Sequence, residues 1–480
     1  MYSVINKYLI TQIKSNFPFN ATPQQEKTLE MISEFILSPD DRKIFLLCGY
    51  AGTGKTSLVS ALVRTMEQLE RRTVLLAPTG RAAKVFSLYS GKKAYTIHKW
   101  IYRQKTILDA SQFSLKENKA SNTLFIVDEA SMISNDGLSN FGSGSLFDDL
   151  VEFVYSGNGC SLLLLGDTAQ LPPVGDVLSP ALSPDYLRSM FLEVSHIEMT
   201  QVMRQVSDSG ILYNATRLRD IICEGVNCVY PKIKLTSFPD VCRVQGDELI
   251  EAIEGCYGSV GVDETIVLCR SNKRANVYNE GIRRRILYRE EVLNRGDMLM
   301  IVKNNYYWRE LLGREDKSLL EKLDFIANGD VAEIVRVGGV EEMYGFRYAD
   351  VTLSFLDYED CELDVKIMLD TLTSESPSLT REENERLFSA LWEDYPEIRS
   401  KRKRMEAIRN NPYYNALQVK YGYAVTCHKA QGGQWKRVFV DQGYITPEMM
   451  TADYYRWLYT AFTRASEKLY LVNWAKEMCE

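Results

Sequence analysis

Four continuously apolar runs punctuate the first part of the chain: Ile44–Cys48, Val74–Ala77, Leu124–Val127 and Leu162–Leu165. Unbroken runs of this length suit strands buried on both faces, and the longer amphipathic segments between them, such as Lys55–Leu69, suit covering helices. Strand and helix in alternation predict a parallel sheet, with ligands gathered at the carboxyl ends of its strands. A second series, Thr265–Cys269, Tyr423–Thr426, Val438–Val440 and Leu469–Val472, predicts another such sheet, interrupted between Arg285 and Asn415. Within the interruption, Gly329–Val337 and Tyr348–Phe355 alternate apolar and polar residues, as small antiparallel barrels do. Thr380–Arg409 is highly charged with helical spacing. Ile101–Asn122 is a smaller, polar insertion without Pro or Gly, with Phe113 near its middle, and suits a short hairpin or a surface loop. No internal repeat of about 20–50 residues and no low-complexity tract is present.

Composition narrows the class. A chain of 480 residues, 45% apolar and 25% charged, has core material for about two to four domains. The net charge of −7 excludes a globally basic coat for nucleic acid or an anionic membrane, but leaves room for a local basic groove. None of the ten Cys forms a CxxC pair; Cys223 and Cys228 are the nearest neighbours, with no His at zinc-ligand spacing. Reduced thiols in a cytosol are the better reading. The opening MYSVINKYLITQIK lacks a signal-peptide core, and Leu162–Leu165 falls far short of the ~20 apolar residues a membrane span needs. A soluble, cytoplasmic protein is expected.

The chemistry begins at Gly49-Tyr50-Ala51-Gly52-Thr53-Gly54-Lys55-Thr56, a G-x-x-x-x-G-K-[ST] run between a predicted strand and a predicted helix. Glycines there let backbone N–H groups wrap phosphates, while Lys55 reaches the β/γ-phosphates and Thr56 ligates Mg²⁺. The strand–loop–helix context argues against a glycine-rich turn without nucleotide. Leu124–Val127 ends in Asp128-Glu129; the Asp can hold Mg²⁺ and the Glu can polarise an attacking water. A lone Asp-Glu pair is more often a solvated turn, but this one ends a second buried strand. Gly166–Val174 follows the next strand, and its Gln170 could orient water near the γ-phosphate or stand exposed in a Pro-stiffened loop. The residues themselves leave both readings open.

The order of these blocks resembles that of the superfamily 1B DNA helicases, of the RecD-like and Dda-like kind, through nearly the whole chain. Thr22-Pro23-Gln24-Gln25 is similar to the Q motif, Ala77–Ala83 to motif Ia, Thr96-Ile97-His98 to motif Ib, Val127–Ser131 to motif II and Gly166–Val174 to motif III. Met203-Arg204-Gln205 resembles motif IV, Tyr423–Gly432 motif V, and Tyr459–Ala465 motif VI. The resemblance implies two RecA-like domains: 1A over 1–206, with insertion 1B at 101–122, and 2A over 207–287 and 416–480. Domain 2B would be inserted at 288–415, with an SH3-like part about 323–356 and a charged helical part about 376–411. It further implies an ATP site of Gln25, Gly49, Gly52, Thr53, Gly54, Lys55, Thr56, Arg204, Gln431, Gly432 and Arg464. Lys55, Asp128, Glu129, Gln170, Arg204 and Arg464 would carry hydrolysis, and Thr56 and Asp128 would hold Mg²⁺. A guanidinium on the γ-phosphoryl oxygens is worth about 10³–10⁵ in rate, which gives Arg204 and Arg464 their role.

The resemblance of motifs Ia and Ib implies contacts to single-stranded DNA from Pro78, Thr79, Arg81, Thr96 and His98; at Thr96-x-His98 and Thr426-x-His428, short polar side chains and backbone N–H groups at strand ends also suit phosphates. A lone His is more often a packing residue, and His98 and His428 are weighed against that. Phe113 would be a stacking tip that divides the strands. Arg283-Arg284-Arg285 and Arg399–Arg404 could line the DNA path, though a solvated helix face explains each more simply. Glu362-x-Asp364-x-Lys366 reads as an exposed strand face, and Cys427 as an inert small residue. The expected activity is ATP-driven translocation on single-stranded DNA with duplex unwinding, for which the resemblance implies 5′→3′ polarity, with ATP and Mg²⁺ as cofactors. A nucleic-acid-dependent ATPase switch or clamp without unwinding is the alternative; a nuclease subunit would need a metal cluster that the sequence lacks. Expected partners are single-stranded DNA and duplex junctions, no membrane, and a nuclease or single-strand-binding protein in trans, with the chain acting as a monomer.

Overall fold

In the computed structural model, which describes residues 2–104, 113–134, 142–202, 209–225, 230–312, 325–358 and 361–480, the apolar runs become strands. β1 (Lys43–Gly49), β2 (Thr73–Ala77) and β3 (Ala94–Thr96) lead into a two-stranded antiparallel ribbon of β4 (Tyr102–Gln104) and β5 (Phe113–Leu115). Then β6 (Leu124–Val127), β7 (Ser161–Gly166) and β8 (Glu193–Met199) complete a six-stranded parallel sheet of order β3-β2-β6-β7-β1-β8. Side chains alternate across it. Phe45, Leu47, Leu124 and Ile126 enter one core, while Ile44, Leu46, Phe125 and Val127 enter the other. Helices on both faces therefore explain why these strands read as unbroken apolar runs. β8 is an edge strand of mixed residues and β3 has three residues, so neither shows as such a run.

The second sheet is parallel as well, with order β16-β10-β17-β18-β9. Its strands are β9 (Val241–Val244), β10 (Thr265–Cys269), β16 (Ala424–Thr426), β17 (Trp435–Asp441) and β18 (Ala465–Val472). Between β10 and β16 the chain builds a closed barrel of β11 (Met298–Ile301), β12 (Val331–Met343), β13 (Phe346–Phe355), β14 (Cys361–Met368) and β15 (Leu417–Tyr421). The two alternating segments are β12 and β13, joined at Tyr344 and Gly345, whose φ of 56° and 74° suit a tight hairpin turn. The barrel extends beyond the expected 323–356. β11 and β15 are buried throughout, so alternation does not reveal them.

Barrel and second sheet share one apolar core, in which Ile266 and Val438 belong to the same cluster as Leu299, Leu353 and Val419. Their junction is a buried ionic node. Asp297, fully buried, accepts from Arg283 Nε at 3.0 Å and Nη2 at 2.9 Å, from Arg289 Nη1 at 2.8 Å and from the Tyr423 hydroxyl at 2.9 Å. This corrects the solvated-face reading of Arg283. Lys366, read as part of an exposed face, is also buried, held by Glu341 at 2.6 Å and Asp350 at 2.7 Å. The charged segment forms helices Arg381–Glu393 and Lys401–Arg409, which place Leu387, Leu391 and Ile408 against Phe346, Tyr348 and Met368 of the barrel. Arg404 stacks on Trp392 at 4.9 Å, while Arg399, Lys401, Arg402 and Lys403 face solvent. The barrel also touches the first sheet's layer. Lys84, on helix Gly80–Ser90, donates to Leu356 O at 2.7 Å and pairs with Asp357 at 3.3 Å. A Cβ at Gly80 would lie 2.8 Å from Asp330 Oδ1. Among the described residues no helix is long and apolar enough to cross a membrane.

Candidate nucleotide and nucleic-acid site

The loop after β1 turns on Gly52 and Gly54, whose φ values of +78° and +86° a side chain would strain. A Cβ at Gly49 would come within 2.9 Å of Met199 Cβ, and one at Gly52 within 2.7 Å of Leu212 Cδ1. Thr53 Oγ1 donates to Tyr50 O at 2.8 Å, and Lys55 Nζ curls back over the loop onto Gly49 O and Tyr50 O. Thr56, one residue into helix Lys55–Gln68, is exposed. Gln25 is buried beneath the loop. Its Nε2 donates to Thr53 O at 3.1 Å and its Oε1 accepts from Thr22 N in a capping box.

Asp128 and Glu129 leave the carboxyl end of β6 beside this loop. Asp128 accepts from Glu129 N at 2.8 Å and from the Tyr89 hydroxyl, and burial pushes its carboxyl up. Glu129 adopts φ +52°, which turns it away from the strand. Burial pushes its carboxyl up to about 7; Arg464 opposes the rise, and Asp128 and Asp167 add to it. A carboxylate tuned near neutrality suits proton acceptance from water. The hydroxyl of Thr56 and the carboxylate of Asp128 are the all-oxygen donors that Mg²⁺ takes.

The opposite wall belongs to the second sheet. Arg464 precedes β18, is buried, and lies 4.0 Å from Glu129 Oε1; its guanidinium donates to Thr460 O, Gly433 O and Thr463 Oγ1 at 3.1–3.3 Å. Helix Ala452–Phe462 presents a face to the loop after β7. Arg456 Nη1 donates to Thr168 O and, at 3.4 Å, to Gln170 O, and Thr460 Oγ1 accepts from Leu171 N at 2.8 Å. Gln431 Nε2 donates to Leu171 O at 2.7 Å, and Gly432, at φ +74°, would bring a Cβ 3.0 Å from Ala82. Gln170 is buried in this loop, and its Oε1 has no hydrogen-bond partner among the described residues. Arg204 lies outside the described residues.

The expected DNA contacts cluster at strand ends. Thr79 follows β2, and Thr96 and Thr426 end β3 and β16; all three are helix N-cap residues, and the first two accept from Ala82 N and Lys99 N at 3.2 Å. Pro78 is part-exposed beside Thr79. Arg81 instead spans the cleft, stacked 4.0 Å from the Trp435 ring centroid. His98 packs against Tyr102 and Phe325, with ring centroids 5.8 and 6.0 Å away, and burial holds it down to about 4. His428 is exposed on the first turn after β16. Phe113 opens β5 opposite Gln104, and its side chain lies outside the described residues. Cys427 is fully buried, and burial pushes its thiol up to about 12.

Sequence reasoning missed Tyr89, Trp435 and Arg456, and named Tyr459 and Thr460 within motif VI without giving them a role. Arg456, Tyr459 and Thr460 stand at helical i, i+3 and i+4 spacing just before Arg464, and that stripe was the available signal.

Two family models match the chain: an AAA domain over residues 22–220 and a UvrD-like helicase C-terminal domain over 421–472, together more than half of it. An uncharacterized protein of Acanthamoeba polyphaga mimivirus is 26% identical over 93% of this chain and 98% of its own. The ATP-dependent DNA helicase dda of Enterobacteria phage T4 is 24% identical over 82% of this chain and 86% of its own. The ATP-dependent RecD2 DNA helicase of Deinococcus radiodurans is 31% identical over 36% of this chain, a match that spans 21% of that protein. With one model on each wall of the cleft and the motifs in helicase order, the chain belongs to the superfamily 1B DNA helicases, of the RecD-like and Dda-like kind.

Proposed function

We propose that the protein translocates 5′→3′ on single-stranded DNA and unwinds duplex ahead of it, driven by ATP hydrolysis between the two parallel sheets. The observation that carries this reading is the meeting of Glu129, from the first sheet, with Arg464, from the second, at 4.0 Å. A site that needs both walls ties hydrolysis to their relative motion. In this reading the loop amides and Lys55 bind the phosphates, Glu129 accepts the water proton, and Gln170 orients that water. Arg464, with Arg204, offsets charge on the γ-phosphoryl oxygens. Thr56 and Asp128 would hold Mg²⁺, which neutralises phosphate charge when bound. The strand-end Thr79, Thr96 and Thr426, with His428, would hold the DNA backbone on both sheets. The β4–β5 ribbon takes the part of insertion 1B and divides the strands, with Phe113 near its end; the barrel takes the part of the SH3-like 2B.

An ATPase clamp without unwinding would use the same nucleotide residues, but it has no need of capped strand ends for DNA on both sheets. The test compares ATPase rates with and without single-stranded DNA, then strand displacement on substrates with only a 5′ or only a 3′ tail. DNA-stimulated hydrolysis with displacement from the 5′ tail is expected. Displacement from the 3′ tail alone would reverse the polarity, and stimulated hydrolysis without displacement would favour the clamp.

A further inference from the structure

One hydroxyl joins the phosphate-binding loop to the loop after β7, and it comes from the opposite sheet. Tyr459, 1% exposed on helix Ala452–Phe462, donates to Asp167 Oδ2 at 2.7 Å and accepts from Ala51 N–H at 2.8 Å. Asp167 in turn orders the turn that carries Gln170. Its Oδ1 accepts from Ala169 N at 3.0 Å, and its carbonyl accepts from Gln170 N at 3.3 Å. Burial beside Asp167 keeps the phenol protonated, well above its usual range, so it remains a donor at any working pH.

The neighbours on this helix each bind the loop after β7 alone, through Thr168 O, Gln170 O or Leu171 N. Tyr459 alone among these three also reaches the phosphate-binding loop. Because the hydroxyl is both donor and acceptor, it satisfies a carboxylate and an amide at one point. Withdrawing the second sheet would leave both without that partner. Holding reacting groups to a fraction of an ångström is what such supporting contacts supply.

We propose that Tyr459 is a positioning residue that makes hydrolysis conditional on closure of the two sheets: only in the closed cleft does its hydroxyl fix Ala51 and Asp167 together and thereby set Gln170 against the water at the γ-phosphate. This rests on the ATP-hydrolysing reading of the same cleft. Tyr459→Phe keeps the buried ring and removes only the linking oxygen. In the full chain, with saturating single-stranded DNA, kcat for ATP should fall at least about tenfold. KM and binding of a fluorescent ADP analogue should stay within about threefold of parental, while the melting temperature falls by only a few degrees for the partner lost to Asp167 and Ala51 N–H. An unchanged kcat overturns the proposal. So does a parallel loss of kcat, nucleotide affinity and melting temperature, which marks a purely structural tyrosine. The parental chain measured alongside separates the two readings, since a parent without ATPase activity overturns the proposed function itself.

Discussion

Replacing Arg464 with Ala removes a buried guanidinium that faces the proposed nucleotide cleft and also holds the backbone of its own wall. Three donor contacts hold it, to Thr460 O, Gly433 O and Thr463 Oγ1, and its Nη1 stands 4.0 Å from Glu129. An arginine acting on the transferred phosphoryl is worth about 10³–10⁵ in rate, which corresponds to about 4–7 kcal/mol of barrier. Structurally, Gly433 O loses its guanidinium donor, at about 1–3 kcal/mol if left unsatisfied, while Thr460 O keeps the Thr463 hydroxyl at 3.0 Å. Arg464→Lys separates the effects. An ammonium keeps the charge and can satisfy one carbonyl, but it cannot reproduce the planar fork. Single-turnover hydrolysis with saturating ATP and single-stranded DNA should therefore show a loss of at least about 10³ for Ala. Lys should lose much of the same rate while melting closer to the parent. Binding of a fluorescent ATP analogue should persist in both. If Arg464→Ala hydrolysed ATP within tenfold of parental, the guanidinium would not be acting on the reaction, and the two-walled site would lose its central support.

Two further expectations concern the frame. Asp297→Ala leaves Arg283 and Arg289 without their shared carboxylate in a buried node, so it should destabilise the chain by about 3–5 kcal/mol. Thermal denaturation should detect this as a drop of several degrees, and an unchanged melting temperature would contradict the node. His98 is held down to about 4 by burial, against an ordinary 6.5. Its neutral ring therefore contributes stability that is complete above pH 6.5 and is lost as pH falls towards 4, by at most about 3 kcal/mol and less given its partial exposure. His98→Phe should make the melting temperature fall less between pH 7.5 and pH 5 than it does in the parent, and equal falls would refute the assignment.

How much of this was legible in the sequence depended on whether the signal was local. β1, β6 and β7 are buried on both faces, so their apolar runs announced a parallel sheet, and the Gly49–Thr56 loop was recognisable because its chemistry is contiguous. β8 and β9 mix polar and apolar residues at sheet edges and carry no such mark. Arg283 sits in a run of three arginines, and only the fold brings Asp297 beneath it. The cross-cleft contacts of Arg81, Arg456 and Tyr459 join residues about 290–410 apart in three of their bonds, beyond any periodicity. The alternation of β12 and β13 pointed to a barrel, but not to the strands that close it.

The shared core and the Asp297 node have a kinematic meaning. The barrel leaves the second sheet at β11 and returns at β15, and these two strands pair with each other, so it has no swivel of its own. The barrel and the second sheet therefore form one continuous packed unit, which meets the first sheet's layer at the Glu129–Arg464 pair and again at Lys84 and Gly80. A displacement of the second sheet would carry the barrel with it, and the Leu356–Tyr358 turn, which rests on Lys84 and Gly80, would share that displacement. A displacement at Arg464 would then be felt at the first turn of helix Gly80–Ser90 as well, where Thr79 caps the helix.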